Sequence, residues 1–315
     1  MGRRAVIDVG TNSVKLLVAD VAGAAVTPVL EAAEQTRLGR GFYPHHILQP
    51  AALRATAQAV AKFVDRATEL GAADLRIFAT SAAREAKNPG DLLLAVDAAC
   101  GRRVEIISGE QEAEWAFRGV TTSPQFTNAP LLLLDVGGGS TEFILGQGGH
   151  KHFRQSFPLG AVRLLETLPH SDPPTPAELA ATRAGLDEFL RREVVPQLEL
   201  AVARERSQGE LLLVGTGGTA TVLASLEARL SAFDRDAIER VRLSAGRVTE
   251  WVERLWSLPL AERRQLPGLP PPRADVMLPG AAIYEAVMRA LRFGELRVST
   301  RGLRYAAILE GPLPG

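Results

Sequence analysis

The chain reads as an α/β protein built from two domains of repeated topology with a cleft between them. Three observations predict this. A Gly/Ser/Thr turn headed by Asp occurs twice, as DVGTNS at 8–13 and as DVGGGS at 135–140. Each copy follows an apolar run, Ala5–Ile7 or Leu131–Leu134, and precedes a second strand-like run, Val14–Ala19 or Glu142–Leu145. The repeated unit is therefore a strand–turn–strand hairpin. The length, 315 residues, suits two domains of about 150 residues each.

In chain order, the first half gives strands at Ala5–Val9, Val14–Ala19 and near Val26–Ala33, then helix Pro50–Leu70. Strand Leu75–Thr80, helix Pro89–Cys100, strand Val104–Ser108 and helix Glu110–Gly119 complete it. The polar, aperiodic stretch Thr121–Ala129 marks a boundary, so residues 1–124 form one domain and 125–301 the other. The second half restarts with Leu131–Val136, Thr141–Leu145 and a strand near His152–Phe157, followed by helix Ala161–Leu168. A long amphipathic stretch runs from Ala177 to about Arg204; its start, Thr175–Pro176–Ala177–Glu178, reads as an N-cap, an N1 proline and an early acid. Strand Leu211–Val214, the turn GTGG at 215–218 and helix Thr219–Arg229 come next. Leu258–Pro272 is Pro-rich and reads as a surface connection, leading to helix Gly280–Leu291, strand Leu296–Ser299 and a final helix within 302–315 that packs back on the first domain.

Apolar residues make up 46% and charged residues 23%, with 36 basic residues against 36 acidic ones. That balance argues against indiscriminate nucleic-acid binding. No apolar run approaches the roughly 18–20 residues a membrane helix needs, and MGRRAVIDVG enters a strand without a signal-peptide core. The expected location is cytoplasmic. The single cysteine, Cys100, reads as a small buried apolar residue. The five histidines lack helical zinc spacing.

A Gly-rich turn lets bare backbone N–H groups approach an anion closely. Two such turns facing each other would clamp a phosphate chain through Gly10, Thr11, Asn12 and Ser13 on one side and Gly137, Gly138, Gly139 and Ser140 on the other. The pattern is neither a P-loop, since no GxxxxGK[ST] occurs, nor a Rossmann fingerprint, since a strand follows each turn. Asp8 and Asp135 head the turns and Glu142 lies just beyond the second. Carboxylates beside a polyanion repel it unless a metal mediates, which makes Mg²⁺ the economical cofactor, with Mn²⁺ as the alternative; an Asp at a turn can also cap local N–H groups. Arg84, after a strand end, either forks onto phosphate or is a solvated loop charge. Arg37 and Arg40 have weaker cases. Ser108 reads as an N-cap, and Glu110 and Glu112 as first-turn acids favoured by the helix dipole. The GTGG turn could cradle a phosphate, a nucleoside or nothing.

In this order, AVIDVGTNSVKLLVAD, ATSAAREAKN, EIISGEQEAEWAFRGV, LLLLDVGGGSTEFILG, FPLGAVRLLE, LLLVGTGGTAT, RADVMLPGAAI and VSTRGLR resemble the exopolyphosphatase/guanosine pentaphosphate phosphohydrolase family, from about residue 4 to 310. The resemblance implies two actin-like domains of the ribonuclease H-like, sugar kinase/Hsp70/actin superfamily. It implies Glu112 as the general base of an SGxxEA motif, Arg84 as a phosphate contact, the two turns as phosphate loops, and Asp8, Asp135 and Glu142 as metal- or water-positioning acids. The implied reaction is metal-dependent removal of the terminal phosphate of inorganic polyphosphate, with guanosine pentaphosphate (pppGpp) as the alternative substrate. A small-molecule kinase of the same superfamily and a non-catalytic nucleotide sensor are the rivals. Many relatives carry an acid beside the Gly-Leu-Arg of STRGLRYA, and longer relatives add helical C-terminal domains that this chain does not show. Shorter chains cut distributively are the expectation that follows, with a homodimer as a further source of contacts.

Overall fold

The computed structural model describes residues 2–311, and its contacts divide the chain into two units, 2–122 with 301–311, and Ser123–Thr300. In the first unit, β1 (Gly2–Val9), β2 (Val14–Ala22) and β3 (Ala25–Glu34) form an antiparallel meander. β4 (Asp74–Ala79) adds parallel to β1 and β5 (Glu105–Ile106) parallel to β4, giving the order β3-β2-β1-β4-β5. The inner part of β1, Ala5–Val9, is continuously buried and apolar but for Asp8, because both faces of the sheet are covered.

The helices of this unit are α1 (Pro50–Glu69), α2 (Ser81–Glu85), α3 (Pro89–Cys100) and α4 (Gly109–Thr121). Leu53, Ala57, Val60 and Val64 recur at three- and four-residue spacing on α1 and are the stripe it buries. Arg84 belongs to the short helix α2 and not to a loop, because the chain turns into a helix directly after β4. The C-terminal helix Leu303–Glu310 lies against α4, where a Cβ on Gly119 would come within 2.0 Å of the Gly302 carbonyl oxygen. Arg304 donates to the Leu16 carbonyl at 2.7 Å and Tyr305 to Glu31 at 3.1 Å, so STRGLRYA fastens this helix to β2 and β3. Residues 312–315 of the expected final segment lie outside the described residues. Cys100 is only partly buried, and its burial raises the thiol pKa.

The second unit repeats the plan. β6 (Leu131–Val136), β7 (Thr141–Gln147) and β8 (His150–Phe157) form the meander, and β9 (Leu212–Thr216) pairs parallel to β6. With β10 (Arg242–Ser244) and β11 (Glu295–Val298) the order is β10-β11-β9-β6-β7-β8. Around this sheet lie α5 (Ala161–Thr167), α6 (Pro176–Phe189), α7 (Val195–Gln208), α8 (Gly217–Glu227), α9 (Arg235–Arg240), α10 (Ala245–Ser257), α11 (Leu260–Arg263) and α12 (Met277–Ala290). Every residue of α12 from Met277 to Met288 is buried, as befits a helix surrounded by the rest of the unit.

Three sequence expectations change here. The long amphipathic stretch is interrupted by a π turn at Leu190–Val194, next to Pro196, which cannot donate to the helical ladder. The segment before Leu258 carries α9, β10 and α10, whose Val248, Trp251, Val252, Leu255 and Trp256 form a clear helical stripe. The Pro-rich segment Leu258–Pro272 is not a plain surface connection, because Arg263 and Leu269 are buried and Gly268, at φ +92°, lies against the Ser225 backbone. Among the described residues no helix is long and apolar enough to cross a membrane.

Helix α6 starts with a complete capping box: the Thr175 hydroxyl accepts from the Glu178 amide, and the Glu178 carboxylate accepts from the Thr175 amide at 2.6 Å. The backbone amides of Thr175 and Ser171 bring the Glu178 carboxyl down to about 2. Thr175→Ala is expected to cost about 1 kcal/mol in urea unfolding. A depressed carboxylate contributes stability above its unfolded pKa, so the deficit of Glu178→Gln should be full at pH 7 and fade as pH falls from about 4.5 towards 2.

Candidate active site

Both Gly-rich turns close on themselves, the Gly10 amide donating to the Ser13 carbonyl at 3.0 Å and the Gly137 amide to the Ser140 carbonyl at 2.9 Å. Each is also gripped from behind. In the first turn the Thr11 carbonyl accepts from Gly39 N at 2.7 Å and the Asn12 carbonyl from Arg37 N at 3.0 Å. In the second, the Gly137 carbonyl accepts from Ala161 N at 3.0 Å, the Gly138 carbonyl from Val162 N at 2.8 Å and Arg163 N at 3.0 Å, and the Gly139 carbonyl from Arg163 Nε at 2.8 Å.

A trans peptide points its C=O and the following N–H in opposite directions. Carbonyls held towards the support therefore turn the amides of Asn12 and Ser13, and of Gly138, Gly139 and Ser140, to the opposite side. That is the arrangement of an anion-binding backbone nest. The supporting segments have no strong local signature. Arg37 takes a left-handed φ of +54°, held by the bond from its amide to the Asn12 carbonyl and by the bond from Arg40 N to its own carbonyl at 2.9 Å. Gly160 is required by space, since a Cβ there would meet the Gly138 carbonyl oxygen at 2.4 Å.

Glu112 sits in the first turn of α4, whose N-cap Ser108 accepts from Gln111 N at 3.1 Å. Arg84 on α2 reaches it: Nη1 donates to Glu112 Oε2 at 2.9 Å and to the Ile107 carbonyl at 3.1 Å. The structure thus joins two residues that sequence spacing treated separately. Glu112 is buried and Arg84 half-buried. The Arg84 fork leaves donors beyond Nη1 for a phosphate oxygen.

Asp8 is buried at the end of β1; Lys15 approaches its Oδ2 at 3.4 Å, while its buried Oδ1 has no hydrogen-bond partner. Asn12 Nδ2 is likewise buried without a partner. In the second unit Asp135 is buried at the end of β6, with its Oδ1 directly against Gly217, where a Cβ would lie 2.2 Å away. Glu142 is buried on β7, and its Oε1 accepts from both Ser140 Oγ at 2.8 Å and Ser156 Oγ at 2.7 Å. Ser156 carries no signal in the sequence, because it lies on the neighbouring strand and meets Glu142 only through the β7–β8 register. Among the described residues no three His, Cys, Asp or Glu side chains converge on one metal position. Taken unit by unit, Asp8 in the first and Asp135 with Glu142 in the second fit a magnesium-like cation, which is typically held by one or two carboxylates together with substrate phosphates and water, and the orphaned Asp8 Oδ1 is the observation in its favour.

The model of the Ppx/GppA phosphatase family matches residues 17–311. The chain is 36% identical to Exopolyphosphatase 2 of Mycobacterium tuberculosis over 92% of this chain and 91% of that protein. It is 30% identical to Exopolyphosphatase 1 of Mycobacterium bovis over 98% of this chain and 88% of that protein. Among solved structures, the Aquifex aeolicus PPX-GPPA enzyme aligns over 98% of this chain and 99% of its own, at 29% identity with a TM-score of 0.76. An exopolyphosphatase from Cytophaga hutchinsonii aligns over 98% of both chains, at 25% identity with a TM-score of 0.84.

Proposed function

Because the chain belongs to the Ppx/GppA phosphatase family and is a phosphoanhydride hydrolase of actin-like fold, we propose that it removes the terminal phosphate from inorganic polyphosphate. The observation that carries this reading is the pair of turns with carbonyls anchored behind them. Their amides bind non-bridging phosphate oxygens, and Arg84 adds a charged fork.

Glu112 is the base. A water held by its carboxylate gives up a proton to it as the water oxygen attacks the terminal phosphorus. The bond from that phosphorus to the bridging oxygen breaks, its electron pair stays on the shortened chain, and orthophosphate leaves. Arg84 holds the Glu112 carboxylate in one orientation through the 2.9 Å bond, and Ser140 and Ser156 do the same for Glu142. Most of the acceleration is positioning and electrostatics, as in other phosphoryl transfers. Asp8, Asp135 and Glu142 are the residues that would hold Mg²⁺ or Mn²⁺, which when bound offsets the charge of the phosphates.

The test is phosphate release from long polyphosphate, tripolyphosphate, pppGpp and ATP under one set of conditions, without an acceptor. We expect the polyphosphates to be the best substrates and chelation of divalent cations to abolish turnover. Preference for pppGpp would move the substrate to the nucleotide, and phosphate transfer that requires an acceptor would sink the hydrolase mechanism.

A further inference from the structure

The GTGG turn at 215–218 plays no part in the proton transfer above, yet two of its glycines are dictated by space. A Cβ on Gly217 would lie 2.2 Å from Asp135 Oδ1. A Cβ on Gly215 would lie 2.9 Å from the hydroxyl oxygen of Tyr284 and 3.0 Å from its Cε1. The ring that claims this second space belongs to α12 and is wholly buried.

A hydroxyl withdrawn from water needs a hydrogen-bond partner. Tyr284 finds two, donating to the Leu134 carbonyl and to the Thr216 carbonyl, each at 3.3 Å. One proton shared evenly between two acceptors is a three-centre bond. These carbonyls lie at the last parallel pairs of β6 and β9, where Leu134 is opposite Gly215 and Asp135 opposite Thr216. Each opens the peptide that leads into one side of the contact between Asp135 and Gly217. Burial first, and the Asp135 carboxylate second, raise the Tyr284 pKa well above the ordinary tyrosine range, so the hydroxyl keeps its proton and stays a donor. A hydrogen bond with the Val136 backbone acts the other way. This one oxygen therefore engages the backbone on both sides of Asp135.

We propose that Tyr284 is a positioning residue for Asp135, its hydroxyl latching the ends of β6 and β9 so that the carboxylate is held against Gly217 in one orientation. The link itself rests on the hydroxyl and the two glycines. Its consequence for catalysis rests on the proposed metal-dependent hydrolysis, in which Asp135 is one of the acids that would hold Mg²⁺ or Mn²⁺. A carboxylate oriented before the cation arrives loses less freedom on binding it. Groups that orient a metal ligand in this way are worth about 10–100-fold in metal affinity or activity.

The test uses the full chain and compares the parent with Tyr284→Phe, which fills the same space without the hydroxyl. Tyr305→Phe is the control, because it removes another buried tyrosine hydroxyl bond, to Glu31 in the first unit. Mn²⁺ is titrated by water-proton relaxation, alone and with orthophosphate, and phosphate release from tripolyphosphate is followed against Mn²⁺ concentration. Only Tyr284→Phe should bind Mn²⁺ more weakly, by about 10-fold or more. It should need correspondingly more Mn²⁺ for half-maximal release, while kcat at saturating Mn²⁺ stays within a few-fold of the parent. Unchanged Mn²⁺ affinity and an unchanged Mn²⁺ requirement in Tyr284→Phe make the hydroxyl merely structural and overturn the proposal. So does an equal shift in Tyr305→Phe, or a parent that binds no Mn²⁺ under either condition. If Tyr284→Phe fails to fold, Gly215→Ala replaces it, since its Cβ crowds the hydroxyl away from the two carbonyls; unchanged Mn²⁺ affinity there overturns the proposal instead. A parent that binds Mn²⁺ more tightly than Tyr284→Phe but releases no phosphate from polyphosphate refutes the polyphosphate reading and leaves the link between Tyr284 and Asp135 standing.

Discussion

Glu112→Gln should lower phosphate release by about 10²–10⁴-fold, the usual contribution of a positioned general base, with the melting temperature close to that of the parent. The amide keeps the shape of the side chain and can still accept from Arg84 Nη1, now 2.9 Å from Glu112 Oε2. What it cannot do is take a proton from water. The loss should therefore fall on kcat, while tripolyphosphate binding stays near the parent value. A Gln variant that turns over at near-parental rate would remove Glu112 from the mechanism. Arg84→Lys should also fail to restore full activity, since one ammonium cannot hold both the Glu112 carboxylate and a phosphate oxygen in the fork geometry.

The second large effect is expected at a residue that touches no substrate. Gly160→Ala places a methyl 2.4 Å from the Gly138 carbonyl oxygen and 2.5 Å from the carbonyl carbons of Gly138 and Gly139. All three are backbone atoms, so no flexible side chain can give way and the second turn itself must move. Its amides then miss the phosphate oxygens, and a displacement of about 1 Å at a positioned group costs on the order of 10²-fold in rate. Gly160 is already extended, at φ −146°, so the alanine backbone is not strained and the contact alone is under test. Gly149→Ala is the control, because nothing lies within 4 Å of a Cβ there. Parental kcat/KM for Gly160→Ala would show that the second turn does not need its support from α5.

Sequence by itself determined the parts of this protein that depend on neighbours in the chain. The two Asp-headed hairpins are such parts, because a turn between two apolar runs is recognised by its own residues. The Ser108 cap of α4 and the Thr175/Glu178 box of α6 are others: a side chain that bonds an amide three residues on requires nothing beyond that spacing. Glu112 could be placed on a helix start in this way, although spacing left it as a first-turn acid and only the resemblance gave it a role. The stripe of α10, Val248, Trp251, Val252, Leu255 and Trp256, is equally local in origin.

Only the tertiary structure decided which way the turns face and what stands beside each charge. Carbonyls of residues 11 and 12 are oriented by residues 39 and 37, and those of 137–139 by 161–163; no periodicity encodes such a meeting. Arg84 meets Glu112 because β4 and β5 are parallel neighbours whose following helices start at the same edge of the sheet. Ser156 reaches Glu142 through strand register. Hydrogen bonds between distant segments form only once the cores have set the distances. Local patterns in a chain fix its turns and caps, and the packing of apolar faces then chooses the partners of its polar groups.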